Sequence, residues 1–313
     1  MKRIPVRKCL LYLLPLLFLL LILSFPSQVR NGAGNGLLLW FNVLLPTLLP
    51  FMILSDLIRR LHIVDSVCNR ISLRTGRNLY FLYPLLLGLL CGLPLGAKLT
   101  AEAVRSEQLT RKQGQFLLAV CNNSSTMFLM GYVAEIQLQR PDLIGYFLLF
   151  IPLSSLLSAI LLATFSSAFK TIKQRVQPPR TPRTTASIVA HSTSFISSVN
   201  SSIMDSFTVI TQVGGFVILF SVLAEFVLLV DSPLTLPLVA SLEMTTGIRA
   251  VCASSLQENA KILLSAVSVS FTGLSGIAQT ACVLADSGLS IFSYTISKLL
   301  GAAFILVFFF LLL

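Results

Sequence analysis

The stretch FLLAVCNNSSTMFLMGYV, residues 116–133, decides how the rest of this chain is interpreted. Its flanks are apolar enough for lipid, but the residues CNNSS at 121–125 interrupt it. A second break, GLPLGAK at 92–98, lies a short distance upstream. Lipid offers no hydrogen-bond partners, so broken helices at membrane depth persist only where they face protein or a water-filled cavity. Two neighbouring breaks therefore predict a substrate site rather than a plain membrane anchor.

The composition places the chain among polytopic membrane proteins. Of its 313 residues, 55% are hydrophobic and 11% are charged, and its mean hydropathy is +0.87. A soluble domain carries about 25% charged residues. The net charge of +11 would suggest a nucleic-acid partner in a soluble protein. Here the basic residues cluster in short loops and act as topology signals, so we expect a lipid bilayer and no nucleic acid.

Nine apolar segments are candidates for membrane insertion, and we expect an all-α polytopic fold. Two segments differ from the others: 79–97 is broken by prolines and glycines, and 233–250 is short and holds several polar residues. A full span needs about 20 apolar residues, so both are predicted to be re-entrant hairpins. The other seven are predicted full spans, at 9–25, 36–58, 113–134, 143–165, 203–229, 260–285 and 292–313.

The distribution of positive charge favours the first hairpin. If every segment spanned the membrane from a cytoplasmic N-terminus, the basic stretch 166–200 would lie outside, contrary to the positive-inside rule. If 79–97 instead enters and leaves on the cytoplasmic side, four basic stretches become cytoplasmic together. They hold 18 of the 23 lysines and arginines, at 1–8, 59–78, 98–112 and 166–200.

The parts of the chain before and after 166–200 follow the same order of features. Each has an apolar segment, then a broken segment, then an apolar run with a polar interruption, and the predicted orientations are opposite. Two inverted repeats with broken helices are the recurrent architecture of secondary transporters. Chance similarity between apolar segments is the alternative. The predicted units are an N-terminal transmembrane helix at 1–30, repeats at 31–165 and 201–313, and a basic cytoplasmic linker at 166–200.

Lys98 and Arg249 occupy corresponding positions in the two broken segments. One interpretation is that each marks a helix end and extends its charge to the membrane interface. The other is that the two cations hold an anion from opposite halves. A dicarboxylate would suit them, because charge-assisted hydrogen bonds are the stronger ones.

Asn122, Asn123, Ser124 and Ser125 place hydrogen-bond donors and acceptors within one helical turn. They either bond to neighbouring helices or contact a substrate. We favour substrate contact, with backbone N–H groups freed at the break offering the positive end of a half-helix to a carboxylate. Thr272 and Gln279 would supply the matching surface in the second half.

Glu243 is the one acid predicted to lie within the membrane in either hairpin. An intramembrane carboxylate is a functional candidate by default. It would carry a coupled ion, H⁺ or Na⁺, or pair with Arg249. The chain has no nucleotide-binding loop of the GxxxxGK[ST] kind, so any energy for transport would come from a gradient or a partner.

Catalytic and metal chemistry are not indicated by the sequence. The six cysteines form no CxxC pair, and the two histidines lie in basic loops. We expect no catalytic residues, no enzyme activity, no cofactor and no metal site. The sequence does not decide whether the protein forms a homo-oligomer.

The two breaks belong to a series of motifs that resembles the YlbJ-type sporulation integral membrane proteins, which carry the Gate or nucleoside-recognition domain. The resemblance covers about residues 30–313, and the motifs occur in order. They are LW at 39–40, LPTLLPF at 45–51, GLPLGAK at 92–98, CNNSS at 121–125, GGF at 214–216, LE at 242–243, and SFTGLS at 270–275 with Gln279.

This resemblance implies a relation to concentrative nucleoside transporters and a role in spore-forming bacteria. Members of the family are thought to move dipicolinic acid from the mother cell across the outer forespore membrane. The implied function is therefore transport of a small anionic solute, dipicolinic acid, during sporulation. One rival is a nucleoside or nucleobase transporter of the same fold. The other is a non-transporting membrane scaffold needed for spore cortex or coat assembly.

Overall fold

The computed structural model describes residues 6–63, 66–67, 70–71, 79–165, 195–230 and 232–312, and these residues contain helices and no strand. The α-helices are α1 (Val6–Ser24), α2 (Pro26–Leu39), α3 (Leu45–Arg60), α4 (Leu82–Cys91), α5 (Leu95–Arg105), α6 (Arg111–Cys121), α7 (Ile144–Phe165), α8 (Phe195–Leu228), α9 (Thr235–Leu242), α10 (Met244–Ala253), α11 (Glu258–Phe271), α12 (Gly273–Val283) and α13 (Ile291–Leu312). A π-helical turn, Trp40–Leu44, joins α2 to α3, and a second π-helix, Phe128–Gln137, follows α6. The predicted all-α fold is confirmed.

Five described helices are long and apolar enough to cross a membrane: Pro26–Arg60, Pro141–Phe165, Phe195–Leu228, Glu258–Val283 and Ile291–Leu311. They support a multi-pass membrane protein and match five of the predicted spans. The predicted span 9–25 falls on α1, and 113–134 is divided by the break between α6 and the second π-helix. The total of seven spans therefore stays a prediction.

The helix that includes α2 and α3 begins at Pro26, earlier than the predicted start at residue 36. A Cβ atom on Gly32 would come within 2.7 Å of the Val222 Cα, and one on Gly36 within 2.9 Å of the Ile218 Cα. Glycine has low helix propensity, which hid this start in the sequence. It also lets two backbones approach closely, so packing against α8 stabilises the stretch.

The helix through α2 and α3 runs antiparallel to α8. The indole N–H of Trp40 donates to the Ile210 carbonyl at 2.8 Å, and Arg60 pairs with Asp205 near the start of α8. These contacts join the first part of the chain to the second along one long helix–helix interface.

Hairpin 1 consists of α4 and α5, which fold back on each other around residues 92–94. Its limbs have 10 and 11 residues, so each spans about 15 Å, half the hydrocarbon core. Gly88 and Gly96, one on each limb, both lie against the Cys121 carbonyl oxygen, 2.7 Å from where their Cβ atoms would stand. The second limb continues to Arg105, past the predicted segment end at residue 97, so Lys98 lies inside a helix rather than at its end.

Hairpin 2 consists of α9 and α10, which have 8 and 10 residues and turn at Glu243. A Cβ atom on Gly247 would stand 2.2 Å from the Ala240 Cα, so the limbs are in direct backbone contact. Only glycine permits this approach. Arg249 lies inside α10, which ends at Ala253, so it too does not mark a helix end.

The two hairpins open towards opposite ends of the bundle. Arg105 donates to the Val283 carbonyl at 2.9 Å, which places the open end of hairpin 1 beside the C-terminus of α12. Lys261 donates to the Cys252 carbonyl at 2.8 Å, which places the open end of hairpin 2 beside the N-terminus of α11. Since α11 and α12 form one broken helix between these points, the open ends lie on opposite sides.

The predicted boundary between the halves lies largely outside the described residues. The linker was predicted at 166–200, of which 166–194 are not described, and 195–200 belong to α8. The repeat boundaries at 31–165 and 201–313, and the inversion between the repeats, stay predictions.

Candidate functional site

Four interruptions of helical structure meet in the middle of the bundle. We call them the four breaks: the hairpin turns at residues 92–94 and at Glu243, and the breaks at 122–125 and at Thr272. Two of them need unusual backbone angles, since Gly92 has φ +75° and Thr272 has φ 69°. A β-branched residue at positive φ is strained, and such strain persists only where the surrounding structure enforces it.

The breaks contact one another directly. The Leu93 N–H donates to the Asn123 carbonyl at 2.7 Å. In the second half, a Cβ atom on Gly273 would stand 3.2 Å from the Met244 backbone nitrogen. The Ser124 hydroxyl, 3.3 Å from the Met244 sulfur, joins the two halves. The four breaks therefore form one structural unit, which we call the central site.

A small cavity of about 30 Å³ lies inside the central site. This is enough for one or two waters, whereas organic ligands occupy pockets of about 300–1,000 Å³. An organic solute would need the hairpins to move. The cavity is lined by all four breaks and by α3, α8 and the π-helix, through Leu44, Leu48, Leu93, Ser124, Ser125, Phe128, Val213, Val217, Glu243, Met244, Thr245, Thr272, Gly276 and Gln279.

Asn122 lies behind the cavity and is fully buried. Its Oδ1 atom accepts the Ala97 N–H at 3.1 Å, in the first turn of α5. Its Nδ2 atom donates to the Thr280 hydroxyl at 2.9 Å and to the Tyr294 hydroxyl at 2.8 Å. This side chain connects hairpin 1 to α12 and α13, so it shapes the site from behind rather than lining it.

Asn123 is buried beside a lysine. Its Oδ1 atom accepts from Lys298 Nζ at 2.5 Å and from the Ser155 hydroxyl at 2.6 Å, and its Nδ2 donates to the Val120 carbonyl at 2.7 Å. The Lys298 side chain is 1% exposed, although it lies in the apolar helix α13. No carboxylate among the described residues forms an ion pair with it.

Glu243, 3% exposed, lines the cavity and caps the N-terminus of α10. Its carboxylate accepts from the Thr246 N–H at 2.7 Å and from the Thr245 hydroxyl. Arg249, the partner considered from the sequence, instead donates to Asn35 Oδ1 at 3.3 Å. Among the described residues, Glu243 therefore has no basic partner at the cavity, and hydrogen bonds from its own turn hold it.

Four of the other predicted contact residues line the cavity. They are Ser124, Ser125, Thr272 and Gln279, and the paired breaks in the sequence predict that they lie close together. Gln279 Nε2 donates to the Ser275 hydroxyl at 3.1 Å, one turn earlier in α12. The structure thus brings polar side chains from both halves to one space, while their contact with a solute stays a prediction.

Lys98 and Arg249 are not among the residues that line the cavity. Each is half-buried on the second limb of its hairpin, and Arg249 bonds to α2 through Asn35. The structure does not bring them together at the central site. Their predicted role in holding an anion would need a different arrangement of the hairpins.

Three residues of this region were not singled out from the sequence: Thr280, Tyr294 and Lys298. Tyr294 and Lys298 lie in a helix that the sequence analysis treated as a plain span. The signal was present, because a lone charge inside a long apolar segment is itself a functional candidate. Their partners are Asn122 and Asn123, in the break that follows α6, so only the tertiary fold reveals them.

A larger cavity, about 530 Å³, lies away from the central site, at the open end of hairpin 1. Its cations are matched by acids: Arg59 and Arg60 both bond to Asp56 at 2.6 Å, and Arg59 lies 3.6 Å from Glu102. The network joins α3 to hairpin 1 and, through Asp205, to α8. This cavity is a vestibule to one side of the bundle rather than the place where the breaks meet.

The chain is 26% identical to the sporulation integral membrane protein YlbJ of Bacillus subtilis strain 168 over 321 aligned positions, which cover 92% of this chain and 78% of the relative. This similarity supports the resemblance to YlbJ-type proteins that the motifs predicted. It agrees with the five candidate spans, and the chain is a multi-pass membrane protein. No family model matches the chain. No solved structure matches it. The Gate domain and the relation to nucleoside transporters stay predictions.

Proposed function

We propose that this protein is a secondary-type transporter of a small anionic organic solute during sporulation, with dipicolinic acid as the solute that the family resemblance implies. The observation that carries the proposal is the meeting of four breaks from two parts of the chain at one buried polar site. Each break removes backbone hydrogen bonds that a membrane helix needs. A protein that only anchors itself gains nothing from four of them, whereas transporters use broken helices to bind solutes.

The electrostatics of the site favour an anion. Three helices, α5, α10 and α12, begin at the breaks, so their positive ends converge there. Protein oxygens already occupy two of these ends: Asn122 Oδ1 accepts the Ala97 N–H, and Glu243 accepts the Thr246 N–H. Carboxylates of a solute would compete for the same kind of donors.

Alternating access follows from the hairpins. They open towards opposite ends of the bundle, and each meets the central site with its turn. Movement of hairpin 1 would open the cavity towards the vestibule beside Arg59, and movement of hairpin 2 would open it to the other side. In this proposal, the 30 Å³ cavity would belong to a closed state between the two open ones.

Glu243 is the candidate for ion coupling. An ionised Glu243 in the cavity would repel an anionic solute, whereas a proton or a sodium ion on it would remove that repulsion. Solute and H⁺ or Na⁺ would therefore bind together. The proposed location is the outer forespore membrane, and a homo-oligomer is compatible with the proposal.

The two rival functions make different predictions. A nucleoside transporter of this fold would take up uridine, and dipicolinate would not compete. A scaffold would leave spore dipicolinate unchanged by Asn122→Ala, Lys98→Ala and Glu243→Gln, while deletion of the gene would still block sporulation. We expect Asn122→Ala and Glu243→Gln, which alter the central site, to lower spore dipicolinate at wild-type protein levels. Unchanged dipicolinate in all three would contradict the proposal.

A further inference from the structure

We infer that the vestibule is a second binding site, for a small organic anion, and that an anion bound there releases the second limb of hairpin 1 from α3. The vestibule is the cavity of about 530 Å³ between α3, hairpin 1 and the first turns of α8. Its volume lies in the range of about 300–1,000 Å³ in which proteins hold organic ligands. The cavity at the central site, about 30 Å³, lies far below that range.

A buried carboxylate holds two guanidinium groups at the wall of the vestibule. Asp56, 5% exposed, accepts from Arg59 Nε at 3.2 Å and Nη2 at 2.6 Å, and from Arg60 Nε at 2.6 Å. Asp205 also accepts from Arg60. A guanidinium has five N–H groups, so both arginines keep further donors for a ligand. Both line the vestibule, and a guanidinium held in place binds carboxylates well because the two planar groups match.

The helix α8 adds hydroxyl groups to the same cavity. Ser197, Ser198 and Ser201 line the vestibule from the first two turns of this helix. Within the described part of the chain, none of the three hydroxyls has a hydrogen-bond partner. A hydroxyl donates to a carboxylate in a charge-assisted bond, which is a strong one. These groups can therefore bind an anion without losing a bond within the protein.

The charge around the vestibule favours an anion over a cation. The stretches 59–78 and 98–112 hold five and four lysines and arginines, against one and two acids. An opening surrounded by one sign of charge concentrates ions of the other sign. Among the described residues that line the vestibule, Glu102 is the one acid.

Glu102 is the group with which a bound anion would compete. It lies on α5, the second limb of hairpin 1, and its Oε2 atom is 3.6 Å from Arg59 Nε. This distance is too long for a hydrogen bond, and Oε2 has no hydrogen-bond partner among the described residues. The two side chains are 40% and 29% exposed, and ion pairs of this kind are weak. A ligand carboxylate that bonds to Arg59 and to a serine would displace Glu102 and so remove a contact between α3 and hairpin 1.

The first limb of the hairpin has a separate contact with α3. The Tyr83 hydroxyl, on α4, donates to the Ser55 carbonyl at 2.8 Å. Displacement of Glu102 therefore frees the second limb while the first stays attached. The consequence for transport rests on the proposed function: an anion that frees this limb would already lie beside the opening to the central site.

Equilibrium binding to the purified full-length protein in detergent tests the site without any flux. Isothermal titration calorimetry compares dipicolinate with its uncharged diamide, and we expect only the dianion to bind. Arg59→Lys keeps the charge but loses the planar group, so it should weaken binding about tenfold, the effect of one hydrogen bond to a charged group. Arg140→Lys is the matched control, because Arg140 is also paired with two acids but lies at the other end of the bundle. It should bind as the wild type does.

Two further variants separate binding from a structural role. Glu102→Gln removes the competing carboxylate, so it should raise the affinity by about twofold to fivefold, the range for an exposed ion pair. Glu107→Gln, at an exposed position nearby, should leave the affinity unchanged. Ser201→Ala should lower the affinity without a change in the unfolding midpoint. If Arg59→Lys does not fold, Glu102→Gln and Ser201→Ala carry the test.

Several results would overturn the inference. They are no binding to folded wild type, equal binding of the diamide, unchanged affinity in Arg59→Lys and Ser201→Ala, or an affinity in Glu102→Gln that is no higher than in the wild type. Loss of binding in Ser124→Ala with full binding in Arg59→Lys would place the anion in the central site, which also overturns it.

The binding site and the transport proposal can fail separately. If the variants bind as expected but liposomes show no dipicolinate flux, the vestibule site stands and the transport proposal fails. If flux occurs but binding does not depend on Arg59 or Glu102, the transport proposal stands and the vestibule site fails.

Discussion

Leu93 and Asn123 join the turn of hairpin 1 to the broken helix beside it, through a backbone hydrogen bond of 2.7 Å. Leu93 lines the cavity, and the Asn123 side chain is held from behind by Lys298. The wall of the central site is therefore built from backbone at two breaks. Side chains of other helices fix its position.

Gly92 is the residue on which this wall depends most, and Gly92→Ala should destabilise the protein. Its φ is +75°, and a Cβ atom would stand 2.4 Å from the Ser125 backbone nitrogen. With ψ at −159° this conformation is essentially restricted to glycine and costs an L-residue about 1–3 kcal/mol, and the contact adds to it. Thermal unfolding in detergent should show a lower midpoint. Gly34→Ala, which has open space around it, should leave the midpoint unchanged or raise it; equal midpoints for the two variants would contradict this packing.

Ser124 should matter for solute binding more than for stability. Its hydroxyl lies in the cavity and bonds only weakly, to the Met244 sulfur at 3.3 Å. We expect Ser124→Ala to lower dipicolinate flux about tenfold, the effect of losing one hydrogen bond to a charged group, with little change in unfolding temperature. Ser241→Ala, at a half-buried position on hairpin 2 whose hydroxyl donates to the Leu238 carbonyl of its own helix, is the matched control. Equal flux in the two variants would place the solute elsewhere.

We expect Glu243→Gln to fold normally but to lose ion coupling. A glutamine keeps an oxygen that accepts the Thr246 N–H, so the cap of α10 is retained. The variant should bind dipicolinate but lose the effect of an ion gradient on its flux. Flux is measured with and without proton and sodium gradients, and Glu135→Gln, at an exposed position, serves as the control. If flux through Glu243→Gln responds to the ion gradients as much as wild-type flux does, Glu243 is not the coupling residue.

The opposite opening of the hairpins predicts the labelling of two engineered cysteines. Ser106 follows hairpin 1 and Ser255 follows hairpin 2, and both are exposed. A membrane-impermeant maleimide should modify Ser106→Cys from the cytoplasmic side and Ser255→Cys from the other side, with modified sites assigned by mass spectrometry. Labelling of both from one side would refute the inverted arrangement.

The sequence predicted the hairpins because their causes are local. Prolines and glycines break α4 from α5, and the basic stretches 59–78 and 98–112 on either side predict that its open end is cytoplasmic. The same reasoning found the polar residues at 122–125 and at Thr272, where short polar side chains stand in apolar surroundings.

What the sequence did not predict depends on contacts between distant helices. The start of the long helix at Pro26 depends on glycines packed against α8. The partners of Asn122 and Asn123 are Tyr294 and Lys298, more than 170 residues away along the chain. Lys98 and Arg249 looked equivalent in sequence, but a helix continues past each, and neither lines the cavity.

Dipicolinate flux into liposomes that contain only the purified protein shows whether the central site carries solute. We expect saturable uptake that responds to an ion gradient, is not displaced by uridine and falls about tenfold in Ser124→Ala. Uptake no faster than in empty liposomes, under every gradient and with folded protein, would contradict it.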